Sequence, residues 1–246
     1  MAGALDALAR RIREAPRVTA MTGAGVSAVS GVPTFRGPDG LWRSFRAEDL
    51  ATPAAFERDP ALVWEWYGWR REKVASCEPN GAHRVLADWS RDRGVRIVTQ
   101  NVDDLHLRAG TRELIRLHGS LWELTCFNGC LRGSRPWRDE RVPLPAGVPR
   151  CPHCGGPARP AVVWSGESLD PIDVARAADA ASCDVFLTVG TSAVVYPAAG
   201  FVREAHARGA FTAEINLDET PASSVVHLSI RGRAEEVLPE LNALLI

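Results

Sequence analysis

The chain is 246 residues long, 46% hydrophobic and 24% charged, with 29 basic and 30 acidic residues. That is enough for a sizeable core in one large domain, or in a large part with a smaller one attached. A net charge of −1 and a pI near 6.6 leave no overall basic field to draw the protein to nucleic acid or to an acidic membrane surface, so a basic substrate would have to be held locally.

The amino terminus, MAGALDALARRIREA, carries charges throughout and has no apolar run of signal-peptide or membrane-span length, so a cytoplasmic location is expected. Leu5, Leu8, Ala9 and Ile12 recur at helical spacing and predict an amphipathic helix over about 3–14, stopped before Pro16. Arg17–Thr22 reads as a strand. It runs into Met21–Gly37, MTGAGVSAVSGVPTFRG, where Gly23, Gly25 and Ala28 fall on the spacing of a dinucleotide-binding βα turn. Gly23 suits a tight turn, Gly25 brings no Cβ toward a pyrophosphate, and Ala28 lets the next helix sit close to the strand. Taken alone this spacing is a weak signal. Ser30, Gly31 and Pro33 interrupt that helix, and Gly37, Pro38 and Gly40 prolong a loop carrying Phe35, Arg36 and Trp42. A dehydrogenase would instead reach a second strand ending in a ribose-binding acid about 20 residues on. A long Gly/Pro-rich loop in a compact domain is usually functional.

Thr52-Pro53 and Asp59-Pro60 each place an N-cap residue before a proline at the first helical position, predicting two helices, the second aromatic-rich and running to about Val74. Another helix is expected from Asn80 to about Arg91. Val95–Thr99 is a β-branched run followed at once by Gln100, Asn101, Asp103 and Asp104, and Glu113–Leu117 is a second short apolar stretch, ending in His118-Gly119. Ligands gather beyond the carboxyl ends of strands in an open parallel sheet, so chemistry is expected at both places. A lone histidine at a strand end is more often structural, but an imidazole titrating near neutrality can serve as a base.

Six cysteines do not make a disulfide framework here; four form two close pairs, Cys126/Cys130 and Cys151/Cys154, while Cys77 and Cys183 read as buried free thiols. Four thiolates suit tetrahedral zinc in a closed, structural site, with His153 in the second loop as a conceivable substitute ligand. The Arg-rich interval 131–150 reads as a solvated surface, with a nucleic-acid-binding zinc ribbon as its rival. Ala161–Trp164 resumes the strand pattern. Val185–Val189 ends in Gly190-Thr191-Ser192, before a helix over Ala198–Arg208, strands at Phe211–Asn216 and Val225–Ile230, and a closing helix over 235–245. Strands separated by helical patterns predict an α/β fold, a Rossmann-like doubly wound parallel sheet with a small inserted zinc-binding module. Its large part would take about 1–50, 80–120 and 160–246, the zinc module 121–159, and a helical part 51–79.

In order, the motifs GAG with Ser27, GVPTFRG, QNVD, HGS, the cysteine quartet, VVWSGE, GTS, EIN and RGRA cover nearly the whole chain. Together they strongly resemble the sirtuin family of NAD-dependent protein deacylases. That resemblance implies a fold and a chemistry: an acyl-lysine lies between the large part and the zinc module, its acyl oxygen attacks the nicotinamide ribose, and lysine, nicotinamide and O-acyl-ADP-ribose are released. It implies His118 as general base, with Asn101 and Asp103 as its catalytic companions. It implies NAD contacts at Gly23, Ala24, Gly25, Ser27, Phe35, Arg36, Trp42, Gln100, Asn101 and Asp103, and along the adenosine half at Gly190, Thr191, Ser192, Asn216 and Ala234. Val162, Val163, Gly166 and Glu167 match the segment that takes the substrate backbone as an added strand. The zinc ligands would be Cys126, Cys130, Cys151 and Cys154. Acylated lysines of proteins are the expected partners, with neither membrane nor nucleic acid. Mono-ADP-ribosyl transfer and a passive NAD or ADP-ribose module are the alternatives.

Two positions depart from the family pattern: Val29 stands where Glu is common, and Ser165 where the VVxFGE segment has Phe, which alters the acyl-lysine tunnel. Tyr67 and Arg70, three apart, share one helix face. From the residues alone Tyr67 would pack with its tryptophan neighbours and Arg70 would extend a solvated face. The Tyr-x-x-Arg pair resembles the sirtuin branch that removes succinyl, malonyl and glutaryl groups, and Ala47 matches a small residue that leaves room for them.

Overall fold

The computed structural model describes residues 2–33, 41–42 and 45–245. Phe35 and Arg36, expected at the cofactor, lie outside the described residues, as does the side chain of Trp42.

The chain opens with α1 (Ala2–Glu14), β1 (Val18–Thr22) and a single helical turn, α2 (Gly25–Ala28). A two-stranded ribbon, β2 (Leu41–Trp42) with β3 (Phe45–Arg46), leads to α3 (Ala47–Leu50), α4 (Pro53–Arg58) and α5 (Pro60–Ala75). Both expected caps are made: Thr52 Oγ1 accepts from the Ala55 amide at 3.0 Å and Asp59 Oδ1 from that of Leu62 at 2.9 Å. Next come α6 (Gly81–Asp92), β4 (Arg96–Thr99), the short α7 (Leu105–Arg108), β5 (Leu114–Arg116), β6 (Gly119–Cys126), β7 (Trp137–Arg138) and β8 (Ala158–Val162). The chain closes with α8 (Pro171–Ala180), β9 (Val185–Val189), α9 (Ala198–Ala207), β10 (Phe211–Asn216), β11 (Leu228–Arg231) and α10 (Ala234–Ala243).

Six strands form one parallel sheet in the order β11-β10-β9-β1-β4-β5. The chain moves outward from β1 to β5, then returns to β9 on the other side of β1. The order therefore reverses between β1 and β9, and the crevice beyond their carboxyl ends is the ligand position of this architecture. Each residue of β1 and β9 is buried, as expected for strands covered on both faces. One core, around Leu8, Leu86, Trp89, Leu187 and Leu238, packs α1, α6 and α10 on one face; another, around Met21, Phe186 and Phe201, packs α8 and α9 on the other.

Two expectations change in the structure. The strand expected at Ala161–Trp164 runs instead over Ala158–Val162, and it pairs antiparallel with β6 in a small sheet ordered β7-β6-β8 rather than joining the large one. The helical part and the cysteine module pack on one core, in which Phe56, Val63, Trp64 and Tyr67 meet Leu121, Leu124, Ala158 and Trp164. Finally, Ala28 does not bring a helix against β1, because α2 stops after one turn and leaves Ala28 exposed. Among the described residues no helix is long and apolar enough to cross a membrane.

Candidate active site

The crevice is made narrow by glycines. The Gly23 amide donates to the Val189 carbonyl at 3.1 Å and that of Gly25 to the Gly190 carbonyl at 2.8 Å, locking the β1 and β9 loops together. A Cβ on Gly25 would lie 2.8 Å from Gly190 O, and one on Gly23 would lie 2.8 Å from Thr191 Cα. Gly190, at φ +58, would in turn press a Cβ to 2.6 Å from the Val26 amide nitrogen. The glycines thus serve first to let two loops touch, a role that motif spacing does not reveal.

Across this seam run side-chain bonds from strand ends. Gln100 Nε2 donates to Thr191 Oγ1 at 2.8 Å, and Asn216 Nδ2 to the Thr191 carbonyl at 3.2 Å. Asn101 Nδ2 reaches both the Gly23 carbonyl, 3.0 Å, and Ser27 Oγ, 3.1 Å. Asp103 is 3% exposed and accepts from the Leu105 amide at 2.9 Å. Burial raises the pKa of its carboxyl, opposed by the Leu105 amide and the Ser27 hydroxyl. Ala24, Gly25 and Ser192 are open to solvent at the crevice mouth, while Ala234 is buried at the start of α10.

Ser27 is a junction that the sequence pattern only hinted at. Its hydroxyl also meets His83 Nε2 at 3.3 Å, and His83 Nδ1 faces the Asn80 amide at 3.3 Å. Since that amide can only donate, Nδ1 is the acceptor and Nε2 carries the hydrogen given to Ser27. Asn80 meanwhile caps α6 and donates to the Val26 carbonyl at 2.8 Å, so one cap residue fixes both the helix and the cofactor loop. The signal was present as Asn80-x-x-His83, a capping pair. His106, 1% exposed, lies behind it with ring centroids 4.9 Å apart and bonds Thr22 Oγ1 at 2.9 Å.

Burial lowers the pKa of His83 to about 4 and that of His106 well below the usual histidine value. The unfolded chain therefore binds these protons first, and stability falls as pH drops from about 6.5 toward 4, by about 3 kcal/mol for His83 alone. Urea unfolding at pH 7 and pH 5 should show this loss, and His83→Gln should flatten it; an unchanged pH slope in the variant would refute the assignment.

His118 sits at the end of β5 with Nδ1 2.8 Å from the Gln100 carbonyl oxygen. A carbonyl only accepts, so Nδ1 carries the hydrogen and Nε2 is left as the basic nitrogen. Burial lowers the ring's pKa, partly countered by that carbonyl, so the neutral form prevails at pH 7. The His118 carbonyl accepts from the Val163 amide at 3.1 Å, which brings the Val162–Val163 segment beside the base. The turn beyond is tied internally. Glu167 accepts from the Trp164 amide at 2.8 Å and forms a two-toothed ion pair with Arg159, one tooth at 2.8 Å. Burial would raise its pKa, but Arg159 and the Trp164 amide outweigh that and hold it low. Its carboxylate is thus engaged in shaping the turn, with Gly166 at φ +87.

Tyr67 and Arg70 are both buried, and Tyr67 belongs to the core that α5 shares with the small sheet. Tyr67 Oη accepts from Trp164 Nε1 at 2.8 Å, and the Arg70 guanidinium lies 5.1 Å from the Trp66 ring centroid and 5.7 Å from that of Tyr67. Arg70 thus does not extend a solvated face as expected from the residues alone, although Glu72 and Lys73 beside it are exposed. Burial lowers the pKa of Arg70, with Tyr67 and Asp103 acting in the opposite direction. Ala47 is buried in the same core and Ser165 is exposed, its amide donating to the Ala51 carbonyl at 2.9 Å.

The sulfurs of Cys126, Cys130, Cys151 and Cys154 all lie within 4.8 Å of one another. Cys126–Cys154 and Cys130–Cys151 are 3.5 and 3.7 Å apart, against the about 3.8 Å edge of a tetrahedron with metal–sulfur bonds near 2.3 Å. Gly133 closes over them, where a Cβ would meet Cys151 Sγ at 2.7 Å and Cys130 Sγ at 2.8 Å. The group could hold a metal ion, and His153 is outside it and exposed.

A family model described as the Sir2 family matches residues 23–197, which span the crevice, the base, the cysteine cluster and the β9 loop. The chain belongs to the Sir2 family. It is 47% identical over 238 residues to NAD-dependent protein deacylase 1 of Archaeoglobus fulgidus, covering 96% of each sequence. Mitochondrial sirtuin-5 of Canis lupus familiaris is 43% identical over 252 residues, covering 92% of this chain and 81% of its own. Among solved structures, a Sir2 homolog–NAD complex superposes with a TM-score of 0.90 at 46% identity, covering 97% of this chain and 94% of that one. A Sir2 complex with p53 peptide and NAD+ does so at 0.83 and 27% identity, covering 96% of each. Sirtuin architecture thus accounts for the reversal crevice and for the small sheet beside it.

Proposed function

We propose that this sirtuin is an NAD-dependent protein-lysine deacylase that removes succinyl and malonyl groups as well as acetyl. The observation that carries the deacylase reading is His118: a neutral imidazole, fixed through Nδ1, leaves Nε2 to take a hydroxyl proton beside a segment able to receive a peptide. The polar groups of the crevice support NAD as its ligand: the Gln100, Asn101 and Asn216 amides and Thr191, which accepts from two of them, converge on a seam with no room for a Cβ at Gly23, Gly25 or Gly190. When bound, NAD supplies the electrophilic ribose carbon that accepts the acyl oxygen. Asn101 and Asp103 orient the ribose side of that pocket, Ser27 links them, and His118 accepts the ribose hydroxyl proton. Val162, Val163 and Gly166 would hold the substrate backbone, with Glu167 shaping their turn.

The acyl preference is supported by Arg70. A guanidinium held out of water against two aromatic rings bears a desolvation cost that an arriving carboxylate offsets. A charge-assisted contact of this kind is worth roughly 1.5–3 kcal/mol, so Arg70→Met should cut desuccinylation by about ten- to a hundredfold. Deacetylation should change little. Mass analysis of products from NAD with succinyl- and acetyl-peptides tests both parts. Nicotinamide and O-acyl-ADP-ribose support the reaction, whereas ADP-ribose left on the acceptor protein would make the chain a transferase. Equal loss of both activities in the variant would leave a plain deacetylase.

The ion fitting the four thiolates is zinc, in a structural role with no position open to water. Removing it with a strong chelator, or Cys151→Ser, should lower the melting temperature and activity together, because binding free energy there is folding free energy. A fully stable and active metal-free protein would defeat that role.

A further inference from the structure

The chain has 28 arginines and a single lysine, Lys73. Each ion pair among the described residues has arginine as its cation. Some of these pairs fix the site itself: Arg159 holds Glu167 in the substrate turn, and Arg71, only 1% exposed, joins α5 to Asp139 at 3.1 Å. Arg231 holds Glu214 at 3.3 Å and also donates to the Asp218 carbonyl and Ser223 Oγ, binding the loop that follows Asn216.

This choice of cation has a chemical consequence. A lysine ammonium gives up its proton readily, and the free amine attacks an acyl thioester: the C–N bond forms, the C–S bond breaks, a thiolate leaves and the nitrogen loses a proton. The amide formed is neutral for acetyl and anionic for succinyl, so a lysine ion pair would be erased or inverted. A guanidinium stays protonated throughout the pH range of proteins and offers no such amine. We propose that this chain is refractory to the acyl thioesters that create acyl-lysines, and that Lys73 is its one side-chain acylation site. The significance of this rests on the deacylase reading, but its chemistry does not.

Lys73 is suited to harmless modification. It is exposed in the last turn of α5, and none of the ion pairs among the described residues uses it. Its carbonyl is what the structure employs, accepting from Ser76 Oγ at 2.8 Å and Cys77 Sγ at 3.2 Å. Acylation there removes only a favourable charge near a helix C-terminus.

The test is to treat the full chain, without NAD, with excess succinyl thioester at pH 8, then map adducts and measure melting temperature and NAD affinity. Lys73 should be the one modified side chain, with NAD affinity changed by less than about twofold. Arg231→Lys supplies the contrast: the Arg231 side chain is 40% exposed, so an ammonium at this position should be open to the reagent, and treatment should weaken NAD binding in this variant by at least about threefold. Loss of NAD affinity in treated wild type, whether through Lys73 or through other side chains, would overturn the proposal. So would an Arg231→Lys protein indifferent to the reagent. None of these measurements reads deacylation, so failure of the proposed activity would be seen separately in the peptide assay.

Discussion

His118→Ala should lower turnover by about a hundred- to ten-thousandfold, the range a positioned general base supplies, while NAD still binds. Among the described residues the side chain makes one hydrogen bond, from Nδ1 to the Gln100 carbonyl, whereas the link to Val163 is through its backbone and survives truncation. Loss of that single bond costs about 1 kcal/mol, so the fold should persist. The wild-type rate should also fall in acid: with a pKa below the usual histidine value, the ring is neutral at pH 7 and becomes protonated only at lower pH. The residual rate of the variant should lack this acid limb. Calorimetry for NAD binding and a pH series of single turnovers check the three statements together, and retained turnover would remove His118 from the chemistry.

What could be read from the chain beforehand was local. Thr52-Pro53 and Asp59-Pro60 announced α4 and α5 because a capping side chain and a fixed proline φ act within one turn. Asp170-Pro171 carries the same signal, and Asp170 caps α8 by accepting from the Ile172 amide at 2.7 Å, although α8 is not among the elements expected from the sequence. The segments QNVD and HGS were legible as the polar ends of β4 and β5, because ligand positions in such sheets lie where polar residues follow a buried run. Their assembly was not. That Ser27 would meet His83, that Trp164 would bond Tyr67, and that Arg159 would occupy Glu167 depends on contacts between residues 8 to 97 positions apart, which no periodicity encodes. The same holds for Tyr67 and Arg70. A three-residue spacing places both on one face, but only the shared core of α5 and the small sheet makes that face an interior one.

Glycines mark the other limit of sequence reading, since a glycine needed for close approach looks the same as one needed for a turn. Gly119 is the sharpest case, and Gly119→Ala is expected to destabilise the protein more than any other alanine substitution named here. Its φ of +78 costs an L residue about 1–2 kcal/mol wherever it occurs. Space adds far more, because a Cβ would fall 2.0 Å from the Ala161 carbonyl oxygen and 3.0 Å from its carbon, both backbone atoms of β8 that no rotamer change can move. Relief requires β6 and β8 to part at the Gly119–Val162 pairing, which also breaks the His118–Val163 bond and carries the base away from the substrate segment. A total above about 4 kcal/mol is expected, a fall in melting temperature of about 10 °C or more for a chain of this size. Gly94 and Gly209 are the controls. At φ +64 and +88 they have the same handedness, but a Cβ at either meets nothing within 4 Å, so Gly94→Ala and Gly209→Ala should cost only the about 1–2 kcal/mol of the dihedral. Thermal melts of the three variants compare the two contributions directly. A Gly119→Ala protein that melts with its controls would mean that β6 and β8 do not approach as closely as described, and the placement of His118 beside Val163 would fall with it.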